Sequence, residues 1–305
     1  LFPYTTLFRS TAPWVLPKPD GEFTPTESTL FEKIPLIQKL NRDFIYYLNE
    51  AQVVGMMYND NILKLGEIIG KRHINKYIKD PELRRKLTPT FKLGCKRVLL
   101  SNNYYQALAQ PNLEVVTDGI QKFTKDSVVT NDGKSRKIDA VILGTGFHVA
   151  DSFQYYNVQG KNGVQLKDVL HDAPEAYYGT SVHQFPNLFI MLGPNTGLGH
   201  NSMIYMIESQ TNYILDAVQK MMQQNIKSID VKKEVQTKFN EEIQKKLVGT
   251  IWLSGCKSWY LSTDGKNHTV WPGFTLEFRN RTKNINLNDY NLEKATVKKQ
   301  EPELV

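Results

Sequence analysis

Two glycine-rich stretches follow apolar runs, at positions where an α/β protein can place a ligand loop. The first apolar run, Ile138–Leu143, has β-strand character and continues into Gly144-Thr145-Gly146-Phe147. Loops at the carboxyl ends of strands bind ligands in open α/β sheets, and glycine lets the backbone approach a cofactor closely. Gly144 and Gly146 are therefore candidate cofactor-binding residues. The alternative is a tight turn that serves the fold alone.

The second stretch, residues 193–202, follows the apolar run Leu188–Leu192 and precedes a predicted long helix. The free N–H groups and the dipole at the start of a helix attract anions. Gly193, Pro194 and Asn195 are therefore candidate ligand contacts, and the alternative is a strained connection capped by one of the last two residues of the stretch. Neither stretch is a GxGxxG motif, which occurs nowhere in the chain, so the usual cradle for a dinucleotide pyrophosphate is missing from it.

Two further clusters carry basic or aromatic side chains. Lys96 and Arg97 precede the predicted strand Val98–Leu100, and neighbouring residues of a strand point to opposite faces. One of the two could meet a phosphate and the other an anionic intermediate; the alternative is an exposed surface pair. The aromatic cluster comprises Ser258-Trp259-Tyr260-Leu261 and Trp271-Pro272-Gly273-Phe274. Core packing is the ordinary role of such residues, and stacking or ribose contact is the alternative.

The elements around these clusters alternate between helical and extended patterns. Apolar residues recur every three or four positions over about residues 26–77, which predicts helices. Pro35 marks the first turn of the main helix, and Asn59 or Asp60 caps a second helix that ends at Gly70. Other predicted elements are a helix capped by Asp80, strands at 98–100, 114–116 and 188–192, a helical turn at 104–108, a hairpin turning at 131–133 into a buried strand at 138–143, and helices at about 202–223 and 231–247. We predict loop for the proline-rich residues 11–24 and irregular structure for 255–278. This order predicts an α/β fold with a helical subdomain.

Composition limits the classes of partner. Of 305 residues, 40% are hydrophobic, which is ample for a buried core. The net charge of +7 reflects either a solvated lysine-rich surface or a site for an anionic ligand such as a phosphorylated cofactor. The basic residues are dispersed and form no nucleic-acid-binding signature, so we expect no nucleic acid partner. Because no apolar run reaches about 18 residues, we expect no membrane partner.

The two cysteines, Cys95 and Cys256, fit neither a metal-ligand spacing nor a redox motif. We therefore expect no metal site, and we expect buried or bystander thiols in a reducing compartment. A cytoplasmic location is the corresponding prediction.

The order of the clusters along the chain resembles that of one family, the Baeyer–Villiger-type flavin monooxygenases, and is most similar to the branch of 4-hydroxyacetophenone monooxygenase. The resemblance covers about residues 11–280. The matching strings are Thr11-Ala12-Pro13-Trp14-Val15-Leu16-Pro17, Gly94-Cys95-Lys96-Arg97, Tyr104-Tyr105, Gly144-Thr145-Gly146-Phe147, Pro186-Asn187-Leu188-Phe189, Gly193-Pro194-Asn195 and Ser258-Trp259-Tyr260.

The resemblance implies an enzyme that uses FAD and NADPH to insert one oxygen of O2 next to a ketone carbonyl through a C4a-peroxyflavin, giving an ester. By resemblance, Arg97 is the catalytic residue, because a permanent guanidinium charge suits an anionic peroxide and adduct. Lys96 matches a contact to the NADP 2′-phosphate, and Trp259 matches a residue that holds the nicotinamide ribose. Gly193, Pro194 and Asn195 match the loop at the flavin ring. Gly144 and Gly146 match the crossover between the two nucleotide domains.

The resemblance also implies a domain plan, namely part of a flavoprotein with two dinucleotide-binding, Rossmann-like domains and a helical insert. It places a partial NADPH-binding domain at 11–143 with the insert at about 26–90 and the C-terminal part of an FAD-binding domain at 144–283. Enrichment in Asn and Lys after about residue 284 predicts a poorly ordered tail at 284–305. Residues 1–10 lack a clear element and are interpreted as a non-native scar. Arg9 stands one position too early for the family's phosphate-binding arginine, so it is not a candidate.

Two alternatives remain open at this stage. One is a flavin monooxygenase that oxygenates nitrogen or sulfur, whose chemistry does not call for an arginine beside an anionic peroxide. The other is that the chain is a truncated product without activity, which would purify without colour because both FAD and NADPH cradles lie outside it.

Overall fold

The computed structural model describes residues 4–8, 11–146, 152–256 and 258–295. The chain divides into two compact units. Described residues within 1–47, 54–147 and 254–256 form the first unit, and those within 48–53, 148–253 and 257–305 form the second. Both units combine helices with small sheets, so the prediction of the α/β class is confirmed.

Helices dominate the early part of the first unit. They are α1 (Pro25–Lys33), α2 (Pro35–Met57), α3 (Asn61–Tyr77), α4 (Pro81–Leu87) and α5 (Tyr104–Leu108). The middle of α2, residues 48–53, belongs to the second unit. The start of α1 is set by a capping box between Thr24 and Glu27. The carboxylate of Asp80 accepts from the first-turn amides of α4, and Pro35 opens α2, so both predicted helix starts are confirmed.

The described residues of the first unit form three small sheets. The strands are β1 (Thr5–Phe8), β2 (Val15–Leu16), β3 (Leu99–Leu100), β4 (Leu113–Val116), β5 (Ile120–Phe123), β6 (Ser127–Thr130) and β7 (Ser135–Lys137). β1 pairs with β4 and β2 with β3, both in parallel, whereas β5, β6 and β7 form an antiparallel sheet. The hairpin predicted around residues 131–133 is the β6–β7 connection.

A core of buried side chains joins α3 to the parallel strands. Its members are Val15, Ile74, Ile78, Leu87, Tyr105, Leu108 and Val115. Trp14 packs beside this core and donates from its indole nitrogen to the Phe91 carbonyl, 2.7 Å away. Gly70 does not end a helix as predicted, because α3 continues through it to Tyr77. A Cβ at Gly70 would lie 2.8 Å from the Trp14 ring, so glycine serves close packing there.

Three other sequence predictions for the first unit are wrong. Residues 5–8 form β1, although no element was expected among residues 1–10, and residues 15–16 form β2 within the expected proline-rich loop. The predicted buried strand at 138–143 is neither a strand nor buried: Ile142 is 79% exposed and Leu143 is 74% exposed. An apolar strand needs a neighbour to pair with, and none of the described residues supplies one.

The second unit contains the helices α6 (Leu166–Val169), α7 (Met203–Gln223), α8 (Lys233–Leu247) and α9 (Thr275–Arg281), and the strands β8 (Ile226–Val231) and β9 (Tyr290–Lys294). Short 3₁₀ helices lie at Ser152–Tyr155, Lys161–Gly163, Ile251–Leu253 and Leu287–Asp289. β8 and β9 pair antiparallel. The predicted long helices at about 202–223 and 231–247 are confirmed as α7 and α8.

Two predictions for the second unit are wrong. Residues 188–192 form no strand, and Met191 and Leu192 are about two-fifths exposed. Within the tail predicted to be poorly ordered, residues 290–294 form β9, whose Tyr290 is buried and contacts the Tyr213 and Ser181 hydroxyls, so the prediction is wrong for these residues. The aromatic side chains Trp252, Trp271 and Phe278 are fully buried in this unit, which confirms the core-packing interpretation of the segment 271–274.

No helix in the described part of the chain is both long and apolar enough to cross a bilayer.

Candidate functional site

Lys96 and Arg97 directly follow a buried turn in the first unit. Gly94 and Cys95 are buried, Lys96 is half-buried and Arg97 is exposed. The Lys96 ammonium lies 4.8 Å from the centre of the Phe91 ring, close enough for a cation–π contact. Arg97 makes no ion pair with any residue that the structure describes. Among the described residues, therefore, no carboxylate neutralises its charge.

Cys95, next to this pair, is bonded to Cys256. The two Cα atoms are 6.4 Å apart, within the range of disulfides, and the Ser254 hydroxyl lies 3.4 Å from the Cys95 sulfur. The expectation of two bystander thiols is therefore wrong for this structure. Sequence spacing gave no signal for the pair, because 161 positions separate its members.

Gly144 and Gly146 lie on an open edge of the first unit. No heavy atom of a described residue lies within 4 Å of where a Cβ would stand on either glycine, and Gly146 has a φ of +83°. Gly146 thus occupies a left-handed conformation that glycine adopts without strain. This open space leaves room for a ligand, but the described residues around the two glycines do not indicate which ligand it would be.

The loop of residues 193–202 in the second unit is closely packed at its beginning. A Cβ on Gly193 would stand 2.3 Å from the Gly179 carbonyl oxygen, so only glycine fits. Pro194 and Asn195 are buried. The Asn195 amide nitrogen Nδ2 donates to the carbonyls of Asn267 at 2.8 Å and Val270 at 3.1 Å. These bonds hold the first half of the loop against residues 267–270.

This contact contains buried polar atoms without a partner. The side chains of Asn195 and Asn267 are 2% and 0% exposed. Oδ1 of Asn195 and Nδ2 of Asn267 have no hydrogen-bond partner among the described residues. An unsatisfied buried polar atom costs about 1–3 kcal/mol, so such atoms point to a polar group that the chain itself does not supply. A flavin edge with hydrogen-bonding atoms fits this requirement.

The second half of the loop leads into the start of α7. Ser202 occupies the N-cap position without a side-chain cap, and the Asn201 carbonyl oxygen Oδ1 accepts from the Ser202 amide at 2.8 Å. The first-turn N–H groups of this 21-residue helix therefore face the loop with the positive end of the helix dipole. Such a helix start can attract an anionic or carbonyl-bearing ligand.

Sequence reasoning missed a buried carboxylate that contacts this loop. Glu50 of α2, in the second unit, is 5% exposed. Its Oε2 accepts from Asn201 Nδ2 at 2.7 Å and from the Thr275 hydroxyl at 2.8 Å, and the same oxygen lies 3.6 Å from Nε2 of His200. Burial acts to raise the pKa of Glu50, but the contacts with His200, Asn201 and Thr275 outweigh it and lower the pKa to about 2. No local motif signals Glu50, because its partners lie at least 150 residues away.

Trp259 differs from the other tryptophans of the second unit. Its side chain is 50% exposed, and its ring lies 4.5 Å from that of Tyr260. A half-exposed indole backed by a second ring can stack on a planar ligand. The stacking interpretation therefore stays open for Trp259, whereas the buried Trp271 is a core residue.

The structure thus distributes the eight predicted site residues over two units. Lys96, Arg97, Gly144 and Gly146 lie in the first, and Gly193, Pro194, Asn195 and Trp259 lie in the second. The loop 193–195 is hydrogen-bonded to another segment, residues 267–270. Among the described residues, no group of three or more His, Cys, Asp or Glu side chains could hold a metal ion.

No family model matches the chain. The chain is 48% identical over 288 residues to a Baeyer–Villiger monooxygenase of Pseudomonas aeruginosa, a match that covers 94% of the chain and 55% of that relative. The chain therefore spans about half the length of this curated relative.

Two solved structures show the same fold. One is OTEMO in complex with FAD and NADP, with a TM-score of 0.78 and 20% identity; the match covers 94% of the chain and 62% of that protein. The other is cyclohexanone monooxygenase from Rhodococcus sp. Phi1 bound to NADP+, with a TM-score of 0.79 and 22% identity, covering 96% of the chain and 63% of that protein. At such identities the likeness concerns the fold alone, and it agrees with the predicted Rossmann-like flavoprotein architecture.

Proposed function

This chain belongs to the Baeyer–Villiger monooxygenase family, and from that premise we propose that the whole protein is an FAD- and NADPH-dependent enzyme that converts a ketone to an ester with O2. The premise is the relation to the Pseudomonas aeruginosa enzyme. Its name supports the reaction type, and the bound FAD and NADP of the OTEMO structure support the cofactors. The whole protein would therefore be an oxidoreductase whose partners are a small ketone and O2.

The observation that carries the proposal is the state of Arg97. It is exposed and makes no ion pair with a described residue, so its charge is free to stabilise an anion formed from O2 and the ketone. A guanidinium stays protonated throughout the working pH range and presents a fork of donors. Arg97 would hold that anion in place by charge and hydrogen bonds.

The other predicted site residues have proposed roles in cofactor binding. Lys96 would meet the 2′-phosphate of NADPH, and its contact with Phe91 supports this role by orienting the ammonium. The half-exposed indole of Trp259 would contact the nicotinamide ribose. Gly144 and Gly146 would form part of the crossover between two nucleotide-binding domains, where their open backbone leaves room for movement or for a ligand.

Part of an FAD site fits the residues of the second unit. Gly193, Pro194 and Asn195 would lie at the flavin ring, where the unpartnered Asn195 Oδ1 supplies a hydrogen-bond acceptor and the start of α7 supplies donors. Bound and reduced FAD supplies the oxygen-transfer chemistry, and the protein supplies position and charge. The pyrophosphate cradle is not among the residues of this chain, because no GxGxxG occurs in it.

We further propose a cytoplasmic enzyme without nucleic acid or membrane partners. The dispersed basic residues support the absence of a nucleic acid partner. In a reducing compartment Cys95 and Cys256 would be thiols rather than a disulfide.

The test uses the longest natural reading frame that contains this chain. Expressed with FAD, supplied with NADPH, a panel of aryl and aliphatic ketones and ¹⁸O2, it is expected to form an ester that carries one labelled oxygen. Arg97→Ala is expected to lower the rate about 10²–10³-fold, and Arg97→Lys to restore only part of it. Arg85→Ala is the matched control, because Arg85 is an exposed arginine of the same unit that, among the described residues, pairs with its helix neighbour Glu82 alone.

Full activity in Arg97→Ala would overturn the assigned role. Formation of sulfoxides or N-oxides without any ester would instead assign the protein to the monooxygenases that oxygenate heteroatoms.

A further inference from the structure

Glu50 is a buried, ionised side chain without a part in the proposed reaction. It lies on α2 within the segment 48–53, which belongs to the second unit, and it is 5% exposed. Its pKa of about 2 leaves it charged at every pH at which the enzyme would work. Keeping a carboxylate ionised away from water is costly unless hydrogen bonds replace its hydration. The Glu50 carboxylate is surrounded by hydrogen-bond donors. The residues that supply these donors therefore indicate what Glu50 does.

The donors come from two segments, one of which is the loop 193–202. Asn201 uses Nδ2 for Glu50 and Oδ1 for the amide of Ser202, so its side chain links the carboxylate to the N-cap of α7. The neighbouring His200 is 7% exposed, and its Nε2 lies 3.6 Å from the carboxylate. Through Asn201, a movement of Glu50 would be transmitted to the first turn of α7.

The second segment is the start of α9. The Thr275 hydroxyl donates to Oε2 of Glu50 at 2.8 Å, and the Leu276 amide donates to Oε1 at 3.3 Å. These bonds attach the carboxylate to a second segment, which is far from the loop in sequence. Glu50 therefore links residues 200–201 to α9, a helix whose Thr275 and Phe278 are fully buried.

The loop is held at two places by different means. Its first half is fixed by Asn195, which donates to the carbonyls of Asn267 and Val270. Its second half has Glu50 as the buried acceptor for Asn201. The unpartnered Oδ1 of Asn195 belongs to the side chain that forms the first anchor, and Asn201 of the second anchor bonds the amide of Ser202, the N-cap of α7. Both anchors therefore fix atoms that a ligand of this loop would meet.

We propose that Glu50 is a positioning residue for FAD: it holds Asn201 and the start of α7 so that the loop 193–202 keeps the geometry that receives the flavin. The proposal rests on the proposed function for the identity of the ligand. It does not make Glu50 catalytic, because no contact with a reacting atom is needed. Its charge acts through Asn201.

The first arm of the test examines the loop without any cofactor. In the 305-residue chain, Glu50→Gln is expected to accelerate hydrogen exchange at the amide of Ser202 and in residues 193–201, because the neutral amide is a weaker acceptor for Asn201. Asp43→Asn is the matched control, since it neutralises a partly exposed carboxylate on the same helix. Unchanged exchange in Glu50→Gln would overturn the inference whatever the protein binds.

The second arm measures the dissociation constant of FAD by flavin fluorescence in the whole protein. Glu50→Gln and Asn201→Ala are each expected to raise the Kd about tenfold, the equivalent of one charge-assisted hydrogen bond. The double variant should be no weaker than either single variant, because both break one link. Asp43→Asn, which neutralises a partly exposed carboxylate on the same helix, should leave the Kd unchanged.

The outcomes separate the two proposals. A wild-type protein that binds no FAD contradicts the proposed function, and the exchange experiment then decides the inference on its own. If the wild type binds FAD and Glu50→Gln binds it as tightly as Asp43→Asn does, the positioning role is overturned.

Discussion

At the scale of single residues, the charge of Glu50 makes the stability of the protein depend on pH. Its pKa falls from an ordinary 4.5 to about 2 in the folded protein. A lowered carboxylate pKa stabilises the folded state above the unfolded pKa, and this contribution is lost as the pH falls from about 4.5 towards 2. Glu50→Gln should therefore lower the free energy of unfolding by about 1.5–3 kcal/mol at pH 7, the range for hydrogen bonds to a charged group.

Urea unfolding at pH 7, 5, 4 and 3 measures this dependence. The difference between wild type and Glu50→Gln should shrink below about pH 4.5, where protons begin to neutralise the carboxylate in the unfolded chain. Asp43→Asn is expected to stay within about 0.5 kcal/mol of wild type at pH 7, as is usual for residues on the surface. A constant difference between wild type and Glu50→Gln down to pH 3 would show that packing, rather than charge, makes Glu50 important.

Local residue signals are predictable from the sequence to the extent that their partners are close in the chain. The Asp80 cap, Pro35 at a helix start and the β6–β7 turn each depend on contacts within a few residues, and each is found as predicted. Glu50 escapes prediction because its partners Asn201 and Thr275 are 151 and 225 positions away. The same holds for Cys95, since only the folded chain brings it to Cys256.

At the scale of elements, the apolar runs show what periodicity alone leaves undetermined. Residues 138–143 and 188–192 both have the composition of buried strands, yet neither is a strand in the structure. An apolar composition shows that a segment favours burial. Whether it becomes a strand depends on a pairing strand from elsewhere in the molecule. Long amphipathic helices such as α7 and α8 satisfy their backbone hydrogen bonds internally, so the sequence predicts them well.

The packing of the loop 193–202 yields a prediction at this scale. A Cβ on Gly193 would stand 2.3 Å from the Gly179 carbonyl oxygen, and backbone atoms cannot move aside as a flexible side chain can. Gly193→Ala should therefore destabilise the protein by about 1–3 kcal/mol, the usual cost of overpacking. Gly21→Ala is the control, because no heavy atom lies within 4 Å of its Cβ position.

Thermal unfolding of both variants checks this expectation. Equal melting temperatures for Gly193→Ala and wild type would mean that the loop shifts readily at Gly179. In that case the packing of Gly193 against Gly179 would not be what holds Asn195 in position for a ligand.

At the scale of the whole molecule, the bond between Cys95 and Cys256 closes a long loop. The chain-entropy model gives about 5 kcal/mol for a crosslink over more than 100 residues, as an upper figure. Protein purified without reductant should therefore have no free thiol when unfolded, and two after reduction. Its melting temperature should fall on reduction, and Cys256→Ser should show the lower value under both conditions. Two free thiols in fresh, air-exposed protein would contradict the bond.

The last prediction concerns what the 305 residues can bind by themselves. They contain the loop 193–202, with unpartnered polar atoms and a helix start that fit one edge of a flavin, but they contain no GxGxxG motif. The pyrophosphate of FAD depends on such a motif for its backbone N–H donors. An edge contact without a pyrophosphate cradle leaves most of the cofactor in water, so this chain should purify colourless even when expressed with excess FAD. Absorbance in the visible flavin band after gel filtration measures this directly. A yellow protein with stoichiometric FAD would show that the loop and its neighbours suffice to hold the flavin, and that the missing cradle is not what limits binding.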